Sequence, residues 1–262
     1  MRHPLPRRSG KGLARGIPTL LSVASAFVLW EAYVRLSGIS ALVLPPPSRV
    51  LDQIVQNRAL LWDNTLPTLH ATFAGFALSL SVAFTLSVVL DFLPRLRKAL
   101  FPIFVISQTL PLVAIAPLVV LWFGFELTPK VLLVALVTFF PMLVALVDGY
   151  ASTDPDIEAL MRSMGATRGQ VFRAARFPSA MPYFFAGLRI SITYAVVAAI
   201  FAEYVGARAG LGIVILNAKN SFRPDLMLAA VVISSLLTLA LFGAAALLQR
   251  IVLRWRNPEG RA

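Results

Sequence analysis

The sequence predicts an all-α polytopic membrane protein with about six transmembrane helices, and three observations carry that expectation. Repeated stretches of about 18 or more nearly uncharged residues have the length at which an α-helix spans a bilayer. The 262 residues are 58% hydrophobic with a mean hydropathy of +0.79, more apolar than the roughly half-apolar composition of soluble domains. The Lys and Arg residues gather between these stretches and favour one side of the implied membrane.

The chain opens with a basic tail, residues 1–16, before a first span over Ile17–Leu36. The basic start and Ala24-Ser25-Ala26 resemble a cleavable leader. The apolar run continues past that point and five further spans follow, so an uncleaved helix is expected. The external segment to residue 66 contains Leu44-Pro45-Pro46-Pro47-Ser48, expected to be rigid and extended. Residues 49–61 suit an amphipathic helix on the outer surface.

A core region, residues 67–250, holds the other spans: Leu69–Leu90, Ala99–Phe123, Val131–Tyr150, Tyr183–Tyr204 and Leu226–Leu248. Pro102, Pro111 and Pro117 interrupt the third span. Each proline removes a helix hydrogen bond, and the freed carbonyls need partners or a wet cavity. The span therefore either is simply kinked or lines a pathway with Gln108 and Thr109 as polar lining; Pro141 raises the same alternatives in the fourth span. A basic tail, residues 251–262, ends the chain. Arg2, Arg7, Arg8, Lys11, Arg15, Arg95, Arg97, Lys98, the island arginines described next and those of the C-terminal tail fall on one side. Fewer basic residues fall on the other, which puts both termini and the island in the cytoplasm.

Between the fourth and fifth spans lies a polar island, residues 154–178, with Arg162, Arg168, Arg173 and Arg176. Asp154 suits an N-cap with Pro155 as the first helical residue, and Asp156 and Glu158 complement the helix dipole. Ile157, Leu160, Met161 and Met164 recur at helical spacing as one apolar stripe. Gly165 suits a left-handed helix end, and Thr167 with Gln170 reads as a capping box for a second helix that stops before Pro178. The stripe must cover something: the membrane surface, its own bundle, or a groove on a partner protein.

Asp91, Asp148 and Glu203 lie near span ends. Each is either solvated at the interface or functional at depth. Solvation is the expectation for the two aspartates, with Asp148 also able to pair with an island arginine. Glu203 is open between solvation and a polar contact near the outer mouth. His70 is expected to have a packing or interfacial role. The chain has no cysteine, no phosphate-cradling G-x-x-x-x-G-K-[ST] and no H-E-x-x-H or G-x-S-x-G. An intramembrane enzyme therefore lacks its chemistry, and the net charge of +12 is explained by topology rather than nucleic acid. A secondary transporter or channel not coupled to an ATPase stands as the alternative reading, although such transporters normally show internal repeats.

Gly165, twelve residues, then Pro178, with Met181-Pro182-Tyr183 and Gly187-Leu188-Arg189, resembles the coupling-loop (EAA loop) signature of ATP-binding-cassette importer permeases. Counted back from Gly165, the Glu-Ala-Ala of that signature falls on Ala159-Leu160-Met161, so Glu158 stands one position early; Ala175 and Phe177 replace the Ile and Leu before the proline. Leu44-Pro45-Pro46-Pro47, Gln108-Thr109-Leu110-Pro111, Ala116-Pro117, Trp122-Phe123-Gly124, Phe139-Phe140-Pro141 and Ala202-Glu203-Tyr204-Val205-Gly206 look like the nitrate, sulfonate and taurine branch. Phe125–Val131 with Asp148-Gly149 is most similar to hydroxymethylpyrimidine (thiamine-precursor) permeases within it.

The resemblance implies the type I importer permease (MetI-like) fold in a bacterial-type inner membrane. It implies an importer subunit, not an enzyme, that forms the pathway for a small solute and binds no cofactor itself, with ATP and Mg on a cytoplasmic ATPase subunit. It implies an external solute-binding protein and a second permease copy, as a homodimer. Glu158, Leu160, Met161, Met164, Gly165, Ala166, Thr167, Phe172 and Pro178 would form the ATPase-docking loop, and Gln108, Thr109, Pro111, Pro141 and Glu203 are the pathway or gate candidates.

Overall fold

Four helices of the computed structural model are long and apolar enough to cross a membrane, and a bent pair makes a fifth if it is one broken span rather than a re-entrant loop. The structure describes residues 11–256; most of the two predicted basic tails, including Arg2, Arg7, Arg8 and Arg261, lies outside the described residues. The predicted first span falls on α1 (Lys11–Ser37), a 27-residue helix. The described residues contain helices joined by short connections and no strand.

The proline stretch stays extended only through Pro46, with φ −69° and ψ 152°. Pro47 then opens α2 (Pro47–Gln56), because a first helical position needs no N–H and suits proline's fixed φ. Glu31 of α1 caps this helix from outside, accepting from Ser48 N–H at 3.0 Å and from Ser48 Oγ at 2.8 Å. An amphipathic helix is thus present, but it is shorter than the expected 49–61, since residues 58–61 already belong to the next helix. α2 is tied to the start of the last span by Arg49–Asp225 at 3.0 Å and Arg223–Gln53 at 2.8 Å.

The second span is much longer than expected: α3 (Arg58–Phe92) runs for 35 residues. Several of its hydroxyls are satisfied along their own helix, as Thr65 and Thr72 donate to carbonyls one turn earlier, while the buried Ser79 Oγ has no partner. The third predicted span is a correction. It is broken into α4 (Pro94–Ser107) and α5 (Leu112–Phe123), bent by 95°, not one kinked helix. Gln108 and Thr109 tighten the end of α4 by donating to Val105 O and Ile106 O. Pro111 then takes extended backbone (φ −67°, ψ 122°) and disfavours helix at Leu110, so the chain cannot continue straight.

The fourth span is α6 (Leu127–Ala151), followed by α7 (Pro155–Ser163) and α8 (Arg168–Val171). The expectation that the second island helix stops before Pro178 is also corrected. A π-turn over Phe172–Arg176 carries α8 directly into α9 (Phe177–Gly206). Phe177 N–H reaches back five residues to Phe172 O. The widened turn gives room for the Pro178 ring, which a regular α-turn would crowd. α10 (Leu211–Asn220) follows Gly210, and α11 (Pro224–Val252) is the last span.

The core lies where α3, α6 and α9 meet, around Ala83, Leu90, Met142, Leu143, Val147, Phe185 and Leu188. Small residues let α6 and α9 approach closely, as expected where lipid rather than water surrounds a bundle. A Cβ on Gly187 would lie 2.5 Å from Ala145 Cβ, and one on Gly149 would lie 2.8 Å from Ala180 Cα. Gly187→Leu should therefore force the helices apart and cost about 1–3 kcal/mol. A lower thermal midpoint of the purified protein in detergent is the expected result.

Candidate functional site: the loop between the fourth and fifth spans

Local chemistry shapes the island as the sequence suggests. Asp154 caps α7 by accepting from Asp156 N–H at 2.9 Å. The helix ends with two reciprocal closures: Gly165 N–H donates to Arg162 O and Ala166 N–H to Met161 O, both at 2.9 Å. That closure needs a left-handed residue, and Gly165 sits at φ +85°. Thr167 and Gln170 form the capping box, with Thr167 N–H donating to Gln170 Oε1 at 2.7 Å and Gln170 N–H to Thr167 Oγ1 at 3.3 Å.

The two helices then use their faces differently. Phe172 points into the protein and packs against Phe92, Tyr150 and Phe177, with ring centroids 5.5, 5.2 and 6.3 Å away. Ile157, Leu160 and Met164 point away, 49%, 61% and 78% exposed, so the stripe covers neither the bundle nor another part of the described chain. Met161, Ala166 and Pro178 are half-buried between the two environments. A cavity of about 430 Å³ flanks the loop, lined by Val88, Phe92, Thr167, Gly169, Gln170, Phe172 and Arg173.

The ion pairing differs from the expectation. Asp148 is exposed and pairs with no island arginine among the described residues; Asp91 does so instead. Arg176 stands between two carboxylates: Nε and Nη2 donate to Glu158 at 2.6 and 2.9 Å, and Nη1 donates to Asp91 at 2.7 Å. Asp91 is mostly shielded rather than solvated. Glu158, though one position early for the family signature, is the acidic residue in the network. Arg162 lies 3.5 Å from Glu158 and is too exposed to add much.

The Arg176 hydrogen bonds hold the Glu158 carboxyl below its usual range, against a smaller opposing effect of burial. A depressed folded value means that the contact is intact above the ordinary carboxylate pKa, about 4.3, and is lost as pH falls through the depressed one. Hydrogen-exchange protection of α7 should therefore hold from neutral pH to about 5 and fall only in stronger acid. Glu158→Gln should lack that acid transition.

The pathway candidates do not converge. Gln108, Thr109 and Pro111 are exposed at the break between α4 and α5, and Pro141 is half-buried within α6. Glu203 is fully buried rather than solvated. Its Oε2 accepts from Thr68 Oγ1 at 2.9 Å and from Gly212 N–H at 3.0 Å, while Oε1 has no partner. Leu211 N–H donates to the same Thr68 Oγ1 at 2.9 Å, and Gly210 N–H to Asn64 Oδ1 at 2.9 Å. Lys130, also buried, donates to Ala209 O at 3.1 Å. These bonds pin the turn before α10 to α3, α6 and α9. His70 is exposed on α3. The sequence carries no local signal for the pairings of Arg176 with Glu158 and Asp91, of Thr68 with Glu203 or of Lys130 with Ala209, because each joins residues at least 18 apart.

Residues 75–254 match the family described as binding-protein-dependent transport system inner membrane component. The riboflavin transport system permease protein RibX of Chloroflexus aurantiacus is 39% identical over 92% of this chain and 90% of its own length. The formylaminopyrimidine transport permease protein ThiX of Halalkalibacterium halodurans is 36% identical over 92% of this chain and 96% of its own. In fold, the chain is similar to an inward-facing MetNI methionine ABC transporter structure, with a TM-score of 0.66 and 20% identity over 75% of this chain and 98% of that one. ATP hydrolysis in this family belongs to a separate subunit, and the reading as an uncoupled secondary transporter finds no support. The chain belongs to the binding-protein-dependent inner-membrane permeases and is a multi-pass permease subunit of an ATP-driven importer of small solutes.

Proposed function

We propose that residues 154–178 dock the cytoplasmic ATPase, and that α7 is the inserted element. The observation that carries this reading is the exposed stripe of Ile157, Leu160 and Met164 on a helix capped at both ends. A rigid amphipathic helix standing clear of its own bundle suits a groove on a partner. ATP and Mg then reside on the ATPase, and this chain binds no cofactor. Both termini and the loop face the cytoplasm of a bacterial-type inner membrane, two copies of the permease form the pathway, and an external binding protein delivers solute.

Leu160→Glu or Met164→Glu places a charge in the docking groove. Each should reduce recovery of the ATPase in mild-detergent purification at least tenfold, about 1.4 kcal/mol or more, with membrane insertion unchanged. Full ATPase recovery with either variant would remove the docking assignment.

For the solute, relatives at 36–39% identity carry names for riboflavin and formylaminopyrimidine transport, so a heteroaromatic vitamin or vitamin precursor is favoured over an aliphatic sulfonate. The test is uptake of riboflavin, formylaminopyrimidine and taurine by cells expressing the permease with its companion subunits. Transport of taurine alone would reverse the ranking.

A further inference from the structure

We infer that the Asp91–Arg176–Glu158 triad is the link that transmits movement of the docked helix α7 to the spans, with Arg176 as its positioning residue. This inference rests on the docking reading above.

No residue of α7 is buried. Its apolar side faces away from the protein, so ordinary packing does not hold it to the bundle. The chain leaves α7 through Gly165, a single left-handed residue with nothing within 4 Å of its Cβ position. A turn of that kind fixes an angle but is a poor strut. Among the described residues, the side-chain hydrogen bonds that join α7 to other elements are those from Arg176 to Glu158. They are bidentate, which fixes direction as well as distance.

The other side of Arg176 reaches the spans. Its backbone ends the π-turn that continues into α9, and its Nη1 holds Asp91 one residue from the end of α3. A displacement of α7 is thus delivered to α3 and α9 together. Those are two of the three helices that meet in the core. π-turns recur at functional sites in helices, and this one provides a place where the span can yield without breaking.

Purified permease with its ATPase partner, given Mg-ATP and no solute, is sufficient for the test. In Arg176→Gln the ATPase should still co-elute at wild-type stoichiometry. Its hydrolysis rate per assembled complex should rise several-fold, because the nucleotide cycle no longer works against the spans. Arg176→Lys, which keeps a charge but not the fork, should fall between. Asp91→Asn cuts only the span side and should change the rate in the same direction; it also serves if Arg176→Gln does not fold. An unchanged rate per assembled complex in both Arg176→Gln and Asp91→Asn overturns the inference. Loss of the ATPase from Arg176→Gln with a normal rate in Asp91→Asn also overturns it, because the arginine would then act only in holding the docking surface. Ile157→Glu run alongside tests the docking reading separately: if that variant keeps its ATPase, docking itself is wrong whatever Arg176 does.

Discussion

Gly165→Val is expected to abolish transport while the protein still inserts into the membrane. The reason is conformational and not a clash, since nothing lies within 4 Å of the added Cβ. At φ +85° a β-branched residue is strongly disfavoured, at a cost of about 1–3 kcal/mol. Relaxing to a right-handed conformation would break the two hydrogen bonds that close α7, from Gly165 N–H to Arg162 O and Ala166 N–H to Met161 O. The chain would leave α7 in a different direction, and the exposed stripe would no longer face the partner's groove. None of the apolar spans is altered, so insertion has no reason to fail. Uptake, ATPase co-purification and membrane-fraction yield, measured together, check the prediction. Gly165→Asn should be the mildest variant, because asparagine tolerates left-handed backbone. Wild-type uptake in Gly165→Val would show that the turn geometry is not required.

Glu203→Ala should have the second largest effect, and it should appear first as lost stability. Removing the carboxylate strands Gly212 N–H in a site with no access to water and leaves the Thr68 hydroxyl only the Asn64 carbonyl as acceptor. An orphaned buried donor costs about 1–3 kcal/mol. The turn before α10 also loses its filling, since a Cβ on Gly210 would overlap the carboxylate that now occupies that space. Glu203→Gln keeps the shape and one accepting oxygen, so it should fold nearly as well as the wild type. The pair of variants separates the two roles considered for this residue. A scaffold predicts low folded yield in Ala and near-normal uptake in Gln. A pathway element predicts normal folded yield but lost uptake in Gln. Size-exclusion monodispersity and uptake rate, measured for both variants, decide between them.

The sequence was most legible where structure is made locally. The Asp154 cap, the left-handed Gly165, the Thr167–Gln170 box and the apolar stripe of α7 each depend on residues within one or two turns, and each is present. Apolar length located the spans for the same reason. The failures share the opposite property. Asp148 and Asp91 look alike in sequence, both at span ends. Only the packing of α3 against the loop decides that Asp91 meets Arg176, 85 residues away. Glu203 ends an apolar run, which leaves solvation and a polar contact open in the sequence; α3 and the turn before α10 close over it. Proline effects were recognised but misjudged in both directions. Pro111 breaks its span outright, and Pro178 is absorbed without a break because the preceding turn widens.

The π-turn at Phe172–Arg176 carries one further consequence. Relative to a regular helix it holds one additional residue, and each residue of an α-helix advances the azimuth by about 100°. The compass bearing of the docking segment around the fifth span is therefore set by a residue count, separately from the composition of either part. A permease lineage could re-aim its ATPase contact by gaining or losing a single residue here, while the membrane-embedded interface of that span stayed in phase.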